Sequence, residues 1–207
     1  MCGIPKLVLC SLIINCFLSF GQQKDSLNLK VVYGTKSYEL QQLLSFEGVD
    51  YMNIKIHGEI LNGKTVMLTS EEFWRDKDSK IDTILEMSKT PRPLLNKDTL
   101  ELTVINKKIS IDTLKIDFRF KNLFNISKRY KTTRLETYDT RDLSNGKSVS
   151  IDYRKPVPLL VYSLPYERRE LPGYLFYCEL TRDGIPPKKW ASEFNLLHYI
   201  VFYIHIQ

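Results

Sequence analysis

Residues 196–206 read L-L-H-Y-I-V-F-Y-I-H-I, a run in which nearly every side chain is β-branched, aromatic or aliphatic. Successive side chains of a strand point to opposite faces. Ile200, Phe202, Ile204 and Ile206 therefore share one wholly apolar face, and Tyr199, Val201, Tyr203 and His205 share an amphipathic one. A run that can bury both faces reads as a central strand. It completes a β-sheet late in the chain, closes a fold and carries no reaction.

Period-two alternation recurs upstream. Residues 28–33 read as a short strand closed by Gly34, and 51–57 alternate Met52, Ile54 and Ile56 against Asn53, Lys55 and His57. Between them, Leu40, Leu43 and Leu44 at helical spacing, with Ser37 as N-cap and Gly48 past the end, predict a short helix over 37–46. Asn62-Gly63 predicts a hairpin turn. Thr69 with Glu72 three residues on predicts a capping box that ends the next strand and places Phe73-Trp74 on a turn of helix or in a tight loop. Residues 81–87 fit strand and helix equally. Leu100, Leu102 and Val104 alternate, a turn is expected at 106–108, and Ile109 and Ile111 resume. Leu114, Ile116, Phe118 and Phe120 then occupy the opposite phase, which a bulge at Asp112-Thr113 would absorb.

Asn145-Gly146 predicts a second hairpin. Pro156, Pro158, Pro165 and Pro172 punctuate the following region and leave 159–164 as an edge strand. Residues 174–180 alternate, Asp183-Gly184 turns, and Pro186-Pro187 opens a short helix through Phe194. Nine or ten short strands with few long helices predict a mainly β fold. The expected architecture is an antiparallel β-sandwich, immunoglobulin-like or transthyretin-like, with one to three short helices. One β-rich domain over 22–207 is expected, with a subdivision near residue 92 as the alternative.

The N-terminus speaks to compartment. Lys6 precedes an apolar run over 7–20, and Ser19 and Gly21 stand three and one before a cut, ahead of polar Gln22-Gln23-Lys24-Asp25. That layout predicts a cleaved secretory signal over 1–21 and an exported protein of the periplasm, outer-membrane surface or extracellular space. An uncleaved anchor and a lipoprotein acylated at Cys16 are the alternatives. Cys2, Cys10 and Cys16 would leave with the signal. Cys178 alone would remain, so the mature chain is expected to be held by its core, with no internal disulfide and no transmembrane segment.

Chemistry-bearing patterns are sparse. His57, His198 and His205 make no chelating spacing, and His198 and His205 fall on opposite strand faces. Cys178 shares a face with Phe176 and Leu180, which predicts burial rather than nucleophilicity. There is no G-x-S-x-G elbow and no phosphate-binding glycine loop. Glu71-Glu72 and Glu167/Glu170 read as solvated carboxylates. No cofactor, metal or catalytic residue is expected.

The uneven feature is a basic stretch. Lys115, Arg119, Lys121, Lys128, Arg129, Lys131 and Arg134 fall together with Asp117 as the single acid, interleaved with Phe118, Phe120, Phe124 and Tyr130. The candidate binding set is Arg119, Lys121, Lys128, Arg129, Tyr130, Lys131 and Arg134, joined by Trp74. Cations with aromatics suit anionic glycans, headgroups or nucleic acid; export removes nucleic acid from the expected partners. The competing reading comes from strand phase: the aromatics face the core and the cations face water.

F-E-G-V-D-Y (46–51), N-G-K-T-V-M-L-T-S-E-E-F-W (62–74), L-P-Y-E-R (164–168) and H-Y-I-V-F (198–202) together resemble a family of exported bacterial proteins of unknown function. The resemblance implies export and a β-rich domain, and no reaction. The functional expectation is a non-enzymatic envelope module that binds a protein partner, a glycan or an anionic surface. The alternatives are a hydrolase with an unrecognised site and a small outer-membrane β-barrel.

Overall fold

Two antiparallel sheets stack face to face in the computed structural model, which describes residues 26–91, 94–135, 137–142, 148–168, 171–177 and 184–207. The first sheet is built from β1 (Leu27–Tyr33), β2 (Val49–His57), β5 (Thr99–Ser110), β6 (Thr113–Phe120), β7 (Asn125–Lys131) and β9 (Val149–Ile151). Their spatial order is β7-β6-β5-β2-β1-β9. The second contains β3 (Val66–Trp74), β4 (Lys80–Glu86), β8 (Asp139–Asp142), β10 (Val157–Ser163) and β13 (His198–Ile206), in the order β4-β3-β13-β10-β8. A separate hairpin joins β11 (Tyr166–Arg168) to β12 (Leu171–Phe176). Helices α1 (Tyr38–Phe46) and α2 (Trp190–Glu193) are short. The expected mainly β sandwich is the observed fold. Both sheets keep open edges and do not close into a barrel. Each draws strands from both sides of residue 92.

The position of β13 follows from its one wholly apolar face and its largely aromatic, amphipathic one. It is the middle strand of its sheet, paired with β3 along its whole length and with β10 on the other side. Ile200, Phe202, Ile204 and Ile206 join the main core between the sheets, with Met52, Ile54, Leu102, Val104, Ile116 and Phe118 from the facing sheet. Phe118 and Tyr130 close on Phe202 at ring-centroid distances of 5.4 and 5.8 Å. Tyr199 and Val201 join a second cluster with Phe73, Leu164, Tyr166, Trp190 and Leu196. That cluster sits on the other side of the sheet, so β13 is buried on both faces.

Several local expectations are corrected. Asn62-Gly63 does not turn a hairpin: β2 and β3 belong to different sheets, and this stretch is the crossover between them, entered by a 3-10 turn at Glu59–Leu61. Gly63 still needs its positive φ of 78°, and its N–H donates to the Leu95 carbonyl. There is no capping box, since β3 runs unbroken to Trp74. Thr69 reaches His205 across the sheet and Glu72 reaches His198, so both side chains serve cross-strand pairing.

No turn interrupts 106–108. Asn106 lies inside β5, 3% exposed, and donates to Thr140. The change of phase before Leu114 is a hairpin turn at Ile111-Asp112, not a bulge at Asp112-Thr113. The Asp112 carboxylate stabilises it by accepting from Ser110 and Thr113, a turn chemistry that needs no glycine. A register irregularity sits on β5 between Lys108 and Ser110.

Residues 81–87 resolve as β4 followed by a 3-10 turn at Met87–Lys89. β10 is not an edge strand, because β8 pairs with its second half. Pro158 lies in the first half, beyond the reach of β8, where the register also shifts. The described residues hold thirteen strands rather than nine or ten; the additional ones include short pieces such as β9 and β11, too brief to show alternation. The signal segment, the Asn145-Gly146 hairpin, Cys178 and Asp183 lie outside the described residues.

Candidate functional site

The six-stranded sheet turns its apolar positions inward, so its other face is whatever remains. Along β1 and β2 the outward positions include Lys30 and Lys55; along β5 they include Glu101 and Lys107. On β6 they are Lys115, Asp117 and Arg119, and on β7 Arg129 and Lys131. Seven cations thus share one face with two carboxylates, a surplus of five where the whole chain carries +6. The net charge is concentrated on one side of the sandwich.

Strand register makes this face more than a count. Lys107 stands directly opposite Lys115, and Lys115 directly opposite Arg129. Lys30 stands directly opposite Lys55. Like charges in facing positions destabilise a sheet. Some relief is built in: Lys107 pairs with Glu47 at 2.7 Å, Asp117 sits 3.6 Å from Lys115 and 3.7 Å from Arg119, and Lys121 pairs with Glu101. Among the described residues no ion pair holds Lys30, Lys55, Arg129 or Lys131. An open depression of about 660 Å³ crosses this face between Lys30, Asn53, Lys55, Thr103, Arg119 and Lys121.

Around the edge of that face lies a cleft of about 410 Å³ where β7 meets the β3–β4 edge of the other sheet. Ser70, Glu72, Trp74, Lys77, Lys80, Asp82, Arg129, Tyr130 and Lys131 line it. Lys80, Arg129 and Lys131 are exposed cations, whereas both acids are engaged. Asp82 binds Lys128 at 2.8 Å, and Glu72 accepts from the Trp74 indole at 2.9 Å. The Tyr130 hydroxyl donates to Ser70 at 2.9 Å, and burial pushes the phenol up to about 12.

From Glu72 in the cleft a half-buried relay runs inward. Tyr138 hydrogen-bonds His198 Nδ1 at 2.7 Å, and His198 Nε2 meets Glu72 at 3.2 Å. The assignment that satisfies all three has the phenol donating to Nδ1 and Nε2–H donating to the carboxylate. Burial would raise the Glu72 carboxyl; the bonds from His198 and Trp74 outweigh it and hold the group below the usual carboxylate range. The imidazole is 0% exposed and both its nitrogens are engaged, leaving neither free to take a substrate proton. The relay fastens β3, β13 and the 132–138 crossover.

The sequence-derived candidates divide accordingly. Arg119, Lys121, Arg129 and Lys131 lie on the basic face or its margin, and Arg134 is exposed on the crossover. Lys128 and Tyr130 point inward, toward the other sheet. Trp74 is not an open stacking platform, since His198 packs on its ring at 4.1 Å and the Lys77 ammonium lies 5.5 Å from its centroid. Phe118 and Phe120 are core residues, as strand phase implied. Sequence reasoning missed Lys30, Lys55 and Lys107, which lie far from the basic stretch in the chain and reach its face only through pairing. The period-two pattern of 51–57 had already placed Lys55 on a polar face.

Among the described residues, no group of three or more His, Cys, Asp or Glu side chains could hold a metal, and no helix is long and apolar enough to cross a membrane. No protein-family model, curated protein or solved structure matches the chain.

Proposed function

We propose that this chain is an exported, non-enzymatic β-sandwich module whose basic sheet face binds an extended polyanionic partner. The observation that carries the reading is the row Lys107–Lys115–Arg129, three cations in facing positions on adjacent strands. Strands lie about 4.8 Å apart, so the row spans about 10 Å. A spaced line of anions is the partner that turns its repulsion into attraction. The sheet beneath is held by the main core and presents the row on a rigid support, which limits the ordering cost of binding. The export half of the reading rests on the sequence pattern of residues 1–21.

Dextran sulfate is a suitable probe, because it offers repeated anions without apolar surface. The chain is expected to bind it with an affinity that falls steeply as salt rises. Replacing Lys107, Lys115 and Arg129 together by Ser should weaken binding roughly a hundredfold at low salt. Reversing Lys89 and Lys188, which lie on turns outside the six-stranded sheet, should change it little. Equal loss from both sets, or binding indifferent to the triple replacement, would refute the assignment of this face.

A further inference from the structure

Helix α1 sends no side chain into the core, and only Gln41 and Leu44 are half-buried. It has nine residues and none of them is buried, although its sequence carries apolar side chains at helical spacing. Tyr38 is 73% exposed, Leu43 56% and Phe46 86%. A surface helix ordinarily turns such residues to the core. Isolated helices this short are not stable in water, so the fold maintains this one by other means. The Ser37 hydroxyl accepts from the Leu40 N–H at its start, and Gly48 takes a φ of 61° just past its end. The helix is therefore held in place with Tyr38, Leu40, Leu43 and Phe46 outward and Leu44 half-buried.

Its position relative to the charged face is fixed by two contacts. Glu47, the helix C-cap, binds Lys107 at 2.7 Å. Val49, two residues on, stands opposite Lys107, so the cationic row begins at the foot of the helix and runs away from it through Lys115 to Arg129. Apolar and cationic groups thus adjoin in the order that a membrane surface requires. Phosphate headgroups would meet the row, and the acyl boundary lies within reach of an aromatic side chain beside it. A soluble polyanion would satisfy the lysines and leave Phe46 and Leu43 in water.

We infer that α1 and the basic sheet face form one docking surface for an anionic phospholipid bilayer, with Phe46, Leu43 and Tyr38 entering the headgroup boundary. This rests on the reading that the face binds anions, and names the anion's source.

The test uses the full chain with Phe46→Trp, in vesicles of phosphatidylcholine with or without phosphatidylglycerol, both carrying acyl-chain bromine. Quenching of the new indole is expected on the anionic vesicles and not on phosphatidylcholine alone. The Lys107, Lys115 and Arg129 triple replacement should abolish it. Leu43→Ser with Phe46→Ser should weaken vesicle binding about tenfold while dextran sulfate binding is kept. These positions are on the surface, and an unchanged circular dichroism spectrum verifies folding. Absence of quenching with dextran sulfate binding intact overturns the lipid assignment alone. Failure to bind either probe overturns the polyanion reading as well. Quenching that survives the triple replacement overturns the joint surface.

Discussion

Asp50 shows what a single buried acid does to this fold. It is the second residue of β2, accepts from the Thr140 hydroxyl at 2.9 Å, and through Thr140 is linked to the buried Asn106 amide. Burial pushes its carboxyl up to about 6; the Thr140 hydrogen bond opposes the shift and nearby Asp139 adds to it. The unperturbed group titrates at 3.8. Between these values the folded chain holds a proton that the unfolded chain has lost. The contribution is fully present below about 3.8 and is lost as pH rises through about 6. Asp50→Asn keeps an oxygen for Thr140 and removes the charge. It should raise stability at pH 7 by about 2 kcal/mol and flatten the dependence between pH 4 and 6, as read from urea midpoints across that range. A variant as pH-dependent as the parent would show that another group sets the slope.

At the scale of elements, identical side-chain chemistry has opposite consequences on β13 and α1. Phe202 is 0% exposed and meets two aromatic rings from the facing sheet, so Phe202→Ala should cost about 3–5 kcal/mol. Leu43→Gln, at an exposed position of a helix with no fully buried residue, should move the thermal midpoint by no more than a degree or two, equivalent to about 0.5 kcal/mol. A large loss from Leu43→Gln would mean that the helix packs against the body after all. The two elements also mark what the sequence could tell. β13 was legible because one of its alternating faces is wholly apolar and the other carries Tyr199, Val201 and Tyr203, and α1 because Ser37 and Gly48 bracket it. That α1 faces outward was not legible, since helical spacing says which residues share a face and not what covers it. The hairpin at Ile111-Asp112 escaped because an Asp carboxylate does the work usually signalled by Gly or Asn. The Asn62-Gly63 turn was recognised as a turn, but its flanking strands enter different sheets, β2 beside β1 and β5, and β3 beside β4 and β13.

For the whole molecule, the sandwich separates charge as well as hydrophobicity. One face of one sheet holds a surplus of positive charge comparable to that of the entire chain, while the opposite sheet is covered outside by the second apolar cluster. Alternation along the basic stretch already placed Lys115, Arg119 and Lys121 away from the core. The facing pairs Lys30–Lys55, Lys107–Lys115 and Lys115–Arg129 depend on register between strands, which the local pattern does not encode. A surface that carries such repulsion is expected to be less stable alone than a neutral version of itself and to regain stability from its partner. Lys115→Glu tests this most directly, because the new carboxylate would face Lys107 and Arg129 at once. Thermal midpoints of parent and variant should be measured at low salt, with and without dextran sulfate. The variant should melt above the parent when both are alone, by the equivalent of about 1 kcal/mol, and the polyanion should raise the parent's midpoint but not the variant's. A variant that melts below the parent, or equal polyanion shifts in the two proteins, would contradict the polyanion reading.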